Sequence, residues 1–204
     1  MGILSSSVSI TQYRVEGKLP EPILGSVATG LKKHAVEEID NDSSDKAIGW
    51  ACFNNPFSTD FNQSPFTIGT YFVFSMRIDK KTIPSKVVQK HYTLEMKKRL
   101  EKSGRDFLSK TEKKEIKDHV IHLLNLRIPA TPNIYDLIWN YESKTLWFFS
   151  NLKAANEELE TLFSKSFELS LIRMFPYTTA YLSADLSDSQ RDELQKISPT
   201  QIFK

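Results

Sequence analysis

The sequence is poor in cysteine and in long apolar runs. Of its 204 residues only Cys52 is a cysteine, so no disulfide framework can hold the fold together. No uninterrupted apolar run approaches the roughly 18 residues that a membrane-spanning helix needs. The first residues, MGILSSS, lack the basic and apolar segments of a secretory signal. We therefore expect a cytoplasmic protein with no membrane partner.

Glycine and metal-ligand patterns are also scarce. The seven glycines are scattered singly, which excludes a Gly-rich phosphate loop. Cys52 has no nucleophile signature around it and is expected to be a buried structural thiol. His119 and His122 lie three residues apart, but no further ligand follows at a recognised metal spacing. We expect His119 to be solvated and His122 to pack or cap, and we predict no catalytic residue, no metal and no cofactor.

The overall charge is close to neutral, but charge is unevenly distributed along the chain. The sequence has 27 Lys and Arg against 25 Asp and Glu, a formal net charge of +2. Between Lys80 and Lys117 there are 13 Lys and Arg against five Asp and Glu, a net charge of +8, and the remainder carries −6. This asymmetry indicates a surface for a polyanion, although two solvated helices with Lys-rich outer faces explain the charge equally well.

The composition of the basic segment favours one kind of polyanion contact. It has 11 Lys and only two Arg. Lys binds phosphates as a point charge, whereas bidentate recognition of guanine favours Arg. Binding a phosphate backbone needs many distributed cations rather than one fixed geometry. The segment therefore predicts binding to double-stranded DNA without sequence preference.

Apolar patterning and capping signals predict an α+β fold. Phe66 to Ile78 is the strongest strand signal, and its continuous apolar middle indicates burial on both faces. Capping boxes at Ser109–Glu112 and Ser187–Gln190 mark two helix starts. We predict strands at 7–15, 48–53, 66–78, 134–139, 145–149 and 167–175, and helices that begin after Pro22, Pro84, Ser109, Asn151 and Ser187.

The order of these elements predicts mixed or antiparallel sheets with a projecting basic helical pair. Residues 1–204 are expected to form a single unit, in which 1–79 and 130–180 are the α/β body, 80–128 a basic helical arm and 181–204 a short C-terminal helical tail. The apolar sides expected for the two arm helices are Val87, Val88, His91, Tyr92, Leu94 and Met96 in the first, and Ile116, Val120, Leu123 and Leu124 in the second.

A metal-dependent nuclease is an alternative that the basic segment also raises. Acidic residue–x–Lys triplets occur in such enzymes, and three of them start here at Glu95, Glu112 and Glu115. All three lie on Lys-rich predicted helices, where chance matches are expected. Two-metal cleavage needs several carboxylates converging on one point, which these helices do not supply. We therefore predict that the protein is not an enzyme.

Two runs in the basic segment carry a family resemblance: IPSKVV at 83–88 and KTEKKEIKDHVIH at 110–122. They resemble, in the same order, a helix start, Leu/Ile-Pro-Ser-x-Val, and a run, Lys-Thr-Glu-Lys-x-x-x-Lys-Asp-Glu-Val-x-His, of the family of the recombination-associated protein RdgC. Gly49-Trp50, the hairpin with Trp139 and the helix from Ser150 to Phe163 follow the family layout. The resemblance covers nearly the whole chain, and 83–122 is its specific part.

The resemblance implies a bacterial, nucleoid-associated protein that forms a ring-like homodimer around duplex DNA and restrains RecA-promoted strand exchange. Some family members carry an exonuclease label without an established active site. Two departures matter. Typical members continue well beyond the position of Tyr181. The sequence NLRIP at 125–129 replaces their Leu-Pro-Arg-Ala-Phe, which keeps Arg127 and loses an aromatic residue that can serve contacts between subunit tips.

The primary hypothesis is therefore an RdgC-like protein that binds double-stranded DNA, modulates RecA-dependent recombination or replication, and acts as a homodimer with RecA affected only indirectly. The alternative is a protein-interaction or assembly module whose basic helices dock an acidic partner, and the third reading is the metal-dependent nuclease. The predicted phosphate contacts are Lys86, Lys90, Lys97, Lys98, Lys102, Lys113, Lys114, Lys117 and Arg127.

Overall fold

A computed structural model describes residues 2–62, 65–183 and 186–198. These residues contain both helices and strands, which confirms the predicted α+β class. In chain order the elements are β1 Thr11–Glu16, α1 Ile23–Lys33, β2 Lys46–Ala51, β3 Thr67–Ile68, β4 Tyr71–Lys80, α2 Ser85–Ser103, α3 Lys110–Asn125, β5 Thr131–Asn140, β6 Thr145–Phe148, α4 Lys153–Phe167, β7 Ser170–Arg173, α5 Pro176–Ser183 and α6 Asp188–Lys196.

The strands form one sheet, with the order β2-β4-β5-β6-β1-β7 and with β3 paired to β4. Every pairing between these named strands is antiparallel. The central pair runs from Tyr71 opposite Asn140 to Lys80 opposite Thr131. The chain leaves the sheet at Lys80, at the end of β4, and returns at Thr131, at the start of β5. The basic helices α2 and α3 lie between these two points.

One face of the sheet packs against α1 and α4. Phe74 and Met76 of β4 are fully buried there, and alternation along the strand places Phe72 and Ile78 on the same face. Trp50, Trp139 and Phe167 extend this core, and the indole N–H of Trp50 donates to Ser166 Oγ at 2.8 Å. Strand β2 approaches the chain after α1 so closely that a Cβ at Gly49 would collide with the backbone of Val36. Glycine is therefore required at this position.

The opposite face of β4 is also buried, as the sequence predicts, but its inner residues are polar. Ser75 donates from Oγ to Asp136 Oδ1 at 2.7 Å, and the backbone N–H of Ile3 donates to Asp136 Oδ2 at 2.9 Å. Arg77 is paired with Asp79 through Nε at 2.7 Å, and these hydrogen bonds raise the pKa of the guanidinium above its ordinary value. An N-terminal segment and a polar network thus cover this face.

The structure corrects the predicted extents of two strands. The strand predicted at 66–78 is interrupted at Gly69, whose φ of +60° makes the turn between β3 and β4. The strand predicted at 167–175 is only Ser170–Arg173, because Phe167 is the last residue of α4 and the left-handed residue Glu168 ends that helix. Apolar character alone did not separate the end of the helix from the strand.

Two helix signals also differ from the prediction. Asn151 does not cap α4: the N-cap residue is Leu152, and no side chain accepts a hydrogen bond there. Asn156, in the first turn of α4, instead donates from Nδ2 to the carbonyl oxygen of the N-cap residue Leu152 at 2.8 Å. This side-chain hydrogen bond stabilises the first turn. Helix α5, Pro176–Ser183, was not predicted, although proline is favoured at the first position of a helix. The predicted capping box at Ser187 is confirmed at the start of α6.

The predicted C-terminal tail, 181–204, is described only in part, since 184–185 and 199–204 lie outside the described residues. The division of the chain into a body, an arm and a tail at the predicted boundaries stays a prediction. None of the described helices combines the length and apolar character that crossing a bilayer requires.

Candidate nucleic-acid interface

Helices α2 and α3 form a pair with an apolar cluster of its own. Leu108, Ile116, Val120 and Leu124 are buried in it, whereas α2 contributes only half-buried side chains such as Tyr92. None of these residues belongs to the core between the sheet and α1 and α4. We refer to residues 80–128 as the arm. A thin pair of helices with one shared stripe leaves most of its surface to solvent, and therefore to its charged side chains.

Local signals fix both ends of the arm helices where they meet. Gly104 ends α2 in the left-handed conformation, with φ +61°. At the start of α3 the N–H of Glu112 donates to Ser109 Oγ at 3.2 Å, and the N–H of Ser109 donates to Glu112 Oε2 at 2.8 Å. These hydrogen bonds hold the pKa of the Glu112 carboxyl below its ordinary value. The predicted capping box and helix end are confirmed.

The apolar sides predicted for the arm helices are only partly correct. Leu94 is 50% exposed and Leu123 is 38% exposed, so neither lies in the shared stripe. His122 is exposed rather than a packing residue, and His119 is exposed as expected. Cys52 is buried, as predicted. An apolar residue near a helical stripe is buried only where the partner helix covers it, and the sequence does not show where that is.

All nine predicted phosphate contacts are exposed, and helical spacing divides them into separate groups. On α3, Lys110, Lys113, Lys114 and Lys117 follow the i, i+3, i+4, i+7 spacing of one helix face. Lys117 lines a groove between the helices together with Gln89 of α2. On α2, Lys86, Lys90 and Lys97 share one side of the helix by the same spacing rule, but none of them lines this groove. We name the two rows together the lysine face, which comprises Lys86, Lys90, Lys97, Lys110, Lys113, Lys114 and Lys117.

Six of the seven residues on the lysine face have no carboxylate within 4.0 Å among the described residues. The exception is Lys97, whose Nζ lies 4.0 Å from Glu101. Lys110 was not among the predicted contacts, although its spacing to Lys113, Lys114 and Lys117 could have identified it. Unpaired surface lysines keep their full charge available for a ligand. The lysine face is therefore the most positive feature that the arm offers.

The remaining predicted contacts, Lys98, Lys102 and Arg127, lie outside these two rows of lysines. Lys98 and Arg127 line a second groove with His91, Glu95 and His119. Lys102 follows Lys98 by four residues and shares its side of α2. This side is not uniformly positive, because Lys98 Nζ lies 3.6 Å from Glu95. We name it the mixed face.

One lysine of the basic segment is buried. Lys81 is 4% exposed, and its Nζ donates to the carbonyl oxygens of Asp42 at 2.7 Å and Asn125 at 2.6 Å. Asn125 ends α3, so this ammonium group lies at the negative end of a helix. The net charge of +8 counted in the sequence therefore includes one cation that no ligand can reach. Residues 125–129 lie at this base of the arm rather than at its tip.

The tip of the arm is the loop between α2 and α3. Its Phe107 is 78% exposed, whereas Leu108 turns inward to the arm cluster. Helix α2 has 19 residues, so at 1.5 Å per residue a helix about 28 Å long separates this loop from the end of β4. The sequence shows an aromatic residue here, but only the topology identifies it as the tip.

The acidic residue–x–Lys triplets do not converge in the structure. Glu95 faces Lys98, and Glu112 is used in the helix cap. The middle residues Met96 and Ile116 pack in the arm cluster. Across the described part of the chain, no group of three or more His, Cys, Asp and Glu side chains is arranged so that it could hold a metal ion.

Comparison with known proteins gives one match. A family model described as "Putative exonuclease, RdgC" matches residues 9–187. The match includes the whole sheet and the arm, and it ends just before α6. A search of curated proteins found nothing that matches the chain.

Proposed function

The chain belongs to the RdgC family, and from this premise we propose that it binds double-stranded DNA without sequence preference and without catalysing a reaction. The observation that carries the proposal is the lysine face: seven lysines from two adjacent helices, of which only Lys97 has a carboxylate within 4.0 Å in the described part of the chain. Such a surface suits the phosphate backbone, because each contact releases counterions and no contact reads a base.

The geometry of the lysine face supports a backbone contact of useful length. Lys86 and Lys97 are eleven positions apart on α2, which corresponds to about 16 Å along the helix axis. The lysines of α3 form a second row on the adjacent helix. Long flexible stems allow Lys to follow phosphates without one fixed geometry. The absence of converging carboxylates among the described residues supports a binding role over the nuclease alternative.

The wider role follows from the same proposal. Family membership supports a place in recombination or replication. A protein that covers duplex DNA would restrict RecA-promoted strand exchange through the shared DNA, without contacting RecA itself. Association with the nucleoid is the expected consequence of binding duplex without sequence preference.

The salt dependence of binding tests the proposal directly. We expect two duplexes of unrelated sequence to bind with equal affinity at about 50 mM salt, and the affinity to fall about a thousandfold or more at about 200 mM, because roughly seven phosphate contacts are lost to screening. Fluorescence anisotropy with labelled duplexes measures both effects. Absence of binding at the lower salt concentration would contradict the proposal and favour the acidic-protein partner.

We further propose that the DNA-binding form is a homodimer, in which Phe107 at each arm tip contacts the partner subunit. Exposed aromatic residues are enriched in protein interfaces, and Phe107 is 78% exposed at the far end of the arm. Sedimentation with and without duplex DNA measures the stoichiometry. We expect a dimer in both conditions. If the protein is a monomer both with and without DNA, the homodimer proposal is wrong. The protein then binds DNA on an open surface and does not encircle it.

A further inference from the structure

The groove between α2 and α3 has a chemistry that DNA backbone binding does not use. Lys117 of the lysine face lines it, and it has a volume of about 560 Å³. Ile83, Val88, Tyr92 and Ile121 provide its apolar floor, and Ser85, Gln89 and Lys117 complete the lining. None of these seven residues is acidic. The groove therefore combines an open apolar floor with a cationic surrounding.

Duplex DNA accounts for the rim of this groove but not for its floor. Phosphate oxygens bind the cations at the edge, whereas the sugar–phosphate backbone has no large apolar group to fill an apolar groove. The floor residues are only half-buried. Ile121 in particular takes no part in the arm cluster, so its exposure to the groove is not explained by packing of the helices. Exposed apolar surface bordered by charge is typical of a protein-interaction site.

We propose that this groove binds an acidic, apolar peptide segment of a partner protein. One or two apolar side chains of the peptide lie against Tyr92 and Ile121, and flanking carboxylates pair with Lys86, Lys113 and Lys117. Charge complementarity identifies the partner: the lining has no carboxylate, and the neighbouring residues on the lysine face are unpaired cations. Basic clusters that recognise acidic motifs, and apolar grooves that accept side-chain anchors, are both established modes of peptide recognition.

This site overlaps the surface proposed to bind DNA. Lys117 belongs to both, since it lines the groove and lies on the lysine face. A bound peptide would neutralise lysines that contact phosphates. Duplex DNA and the peptide are therefore expected to compete, which would allow an acidic partner protein to release the arm from DNA.

Two labelled peptides and two matched variants test the proposal. One peptide has a central Leu-Phe pair between runs of Asp, and the other has Ser-Ser in place of Leu-Phe. The variants of the full chain are Ile121→Ser in the groove and Leu123→Ser on the other side of the same helix, where Leu123 lines the second groove. Both substitutions remove one apolar side chain from α3 and leave its charge unchanged.

We expect the unmodified protein to bind the Leu-Phe peptide about tenfold more tightly than the Ser-Ser peptide, because the apolar anchors are buried only in the first case. Ile121→Ser should remove this preference, and Leu123→Ser should retain it. Unlabelled duplex should displace the Leu-Phe peptide. Equal binding of the two peptides to the unmodified protein would show attraction by charge alone and overturn the proposal, as would equal losses in the two variants.

Duplex binding by the same variants separates this proposal from the proposed function. Ile121→Ser removes no cation, so its affinity for duplex should stay within about twofold of the unmodified protein. If Ile121→Ser instead weakens binding of single-stranded DNA and no peptide preference exists, the groove accepts bases and the peptide proposal is wrong.

Discussion

Replacing Lys86, Lys90, Lys113 and Lys117 together by Glu is expected to lower the affinity for duplex DNA by about a hundredfold or more at low salt and to reduce the salt slope by about four units. Each substitution removes one phosphate contact and adds a repulsive charge. The four side chains are exposed and have no carboxylate within 4.0 Å among the described residues. The substitutions therefore break no ion pair there, and the loss of affinity reflects the contacts with DNA. Fluorescence anisotropy over a range of salt concentrations measures both quantities.

A matched pair of double variants shows whether the effect belongs to the lysine face. One variant combines Lys90→Glu with Lys117→Glu, and the other combines Lys98→Glu with Arg127→Glu. Both change the net charge by the same amount, and each replaces one residue in α2 and one residue in or just after α3. We expect the first pair to weaken binding clearly more than the second, because Lys98 is already paired with Glu95. Equal losses would show that the arm acts through its total charge rather than through one face.

The folded state is expected to tolerate these changes. None of the four lysines replaced in the quadruple variant is buried or part of an ion pair, and exposed substitutions of this kind usually change stability by less than about 0.5 kcal/mol each. Circular dichroism and thermal unfolding therefore serve as the folding control. A quadruple variant that folds normally and still binds duplex with unchanged affinity would contradict the proposed function.

Local chemistry explains why much of the fold could be predicted from the sequence. The capping boxes at Ser109 and Ser187 and the glycine at 104 require only neighbours within a few residues, and all three have the predicted role. The α+β class followed from the order of such local elements. Boundaries set by distant contacts were less accurate. Phe167 is predicted in a strand but is the last residue of α4. It is buried against Trp50 of β2, a contact that its apolar character alone does not reveal.

The arm shows what sequence reasoning resolves at a candidate site and what it does not. Helical spacing alone could have grouped Lys110, Lys113 and Lys117 on one face, since 3.6 residues per turn fix their directions. Which side of α2 lies beside them depends on how the two helices pack, and the groove shows that this side carries Ser85, Val88, Gln89 and Tyr92. Counting charges along the chain cannot separate a lysine face from a mixed face.

Buried polar residues were the features least accessible from the sequence. Ser75, Arg77 and Asp79 lie in the strand with the strongest apolar signal, yet they form hydrogen bonds on its second face. Their partners are set by tertiary structure: Ser75 binds Asp136, which is 61 residues away in the chain. Lys81 is the extreme case, because its acceptors are backbone carbonyls and no side-chain pattern could indicate them.

The largest expected effect on stability comes from Lys81→Met. The Nζ atom donates three hydrogen bonds to backbone carbonyls, those of Asp40 at 3.2 Å, Asp42 at 2.7 Å and Asn125 at 2.6 Å. Met fills a similar volume but donates none of these bonds, so the three carbonyl oxygens lose this partner, and the bond to Asn125 is fully buried. Because a buried, charged hydrogen-bond network is broken, we expect a loss of about 3 kcal/mol in the free energy of unfolding. Urea unfolding measures this loss, provided that the variant and the unmodified protein have the same m-value.

Lys80→Met provides the control, because it removes the same charge from the neighbouring residue, which is exposed. Its cost should stay within about 0.5 kcal/mol, and equal costs for the two variants would show that the buried ammonium does not stabilise the base of the arm. Lys81 joins the end of α3 to the loop that contains Asp40 and Asp42, and Asn125 adds a hydrogen bond from Nδ2 to Ser43 O at 3.2 Å. Hydrogen exchange should therefore become faster in the last turn of α3 in Lys81→Met and stay unchanged in Lys80→Met. Only the first variant loses the hydrogen bonds that connect the end of α3 to this loop.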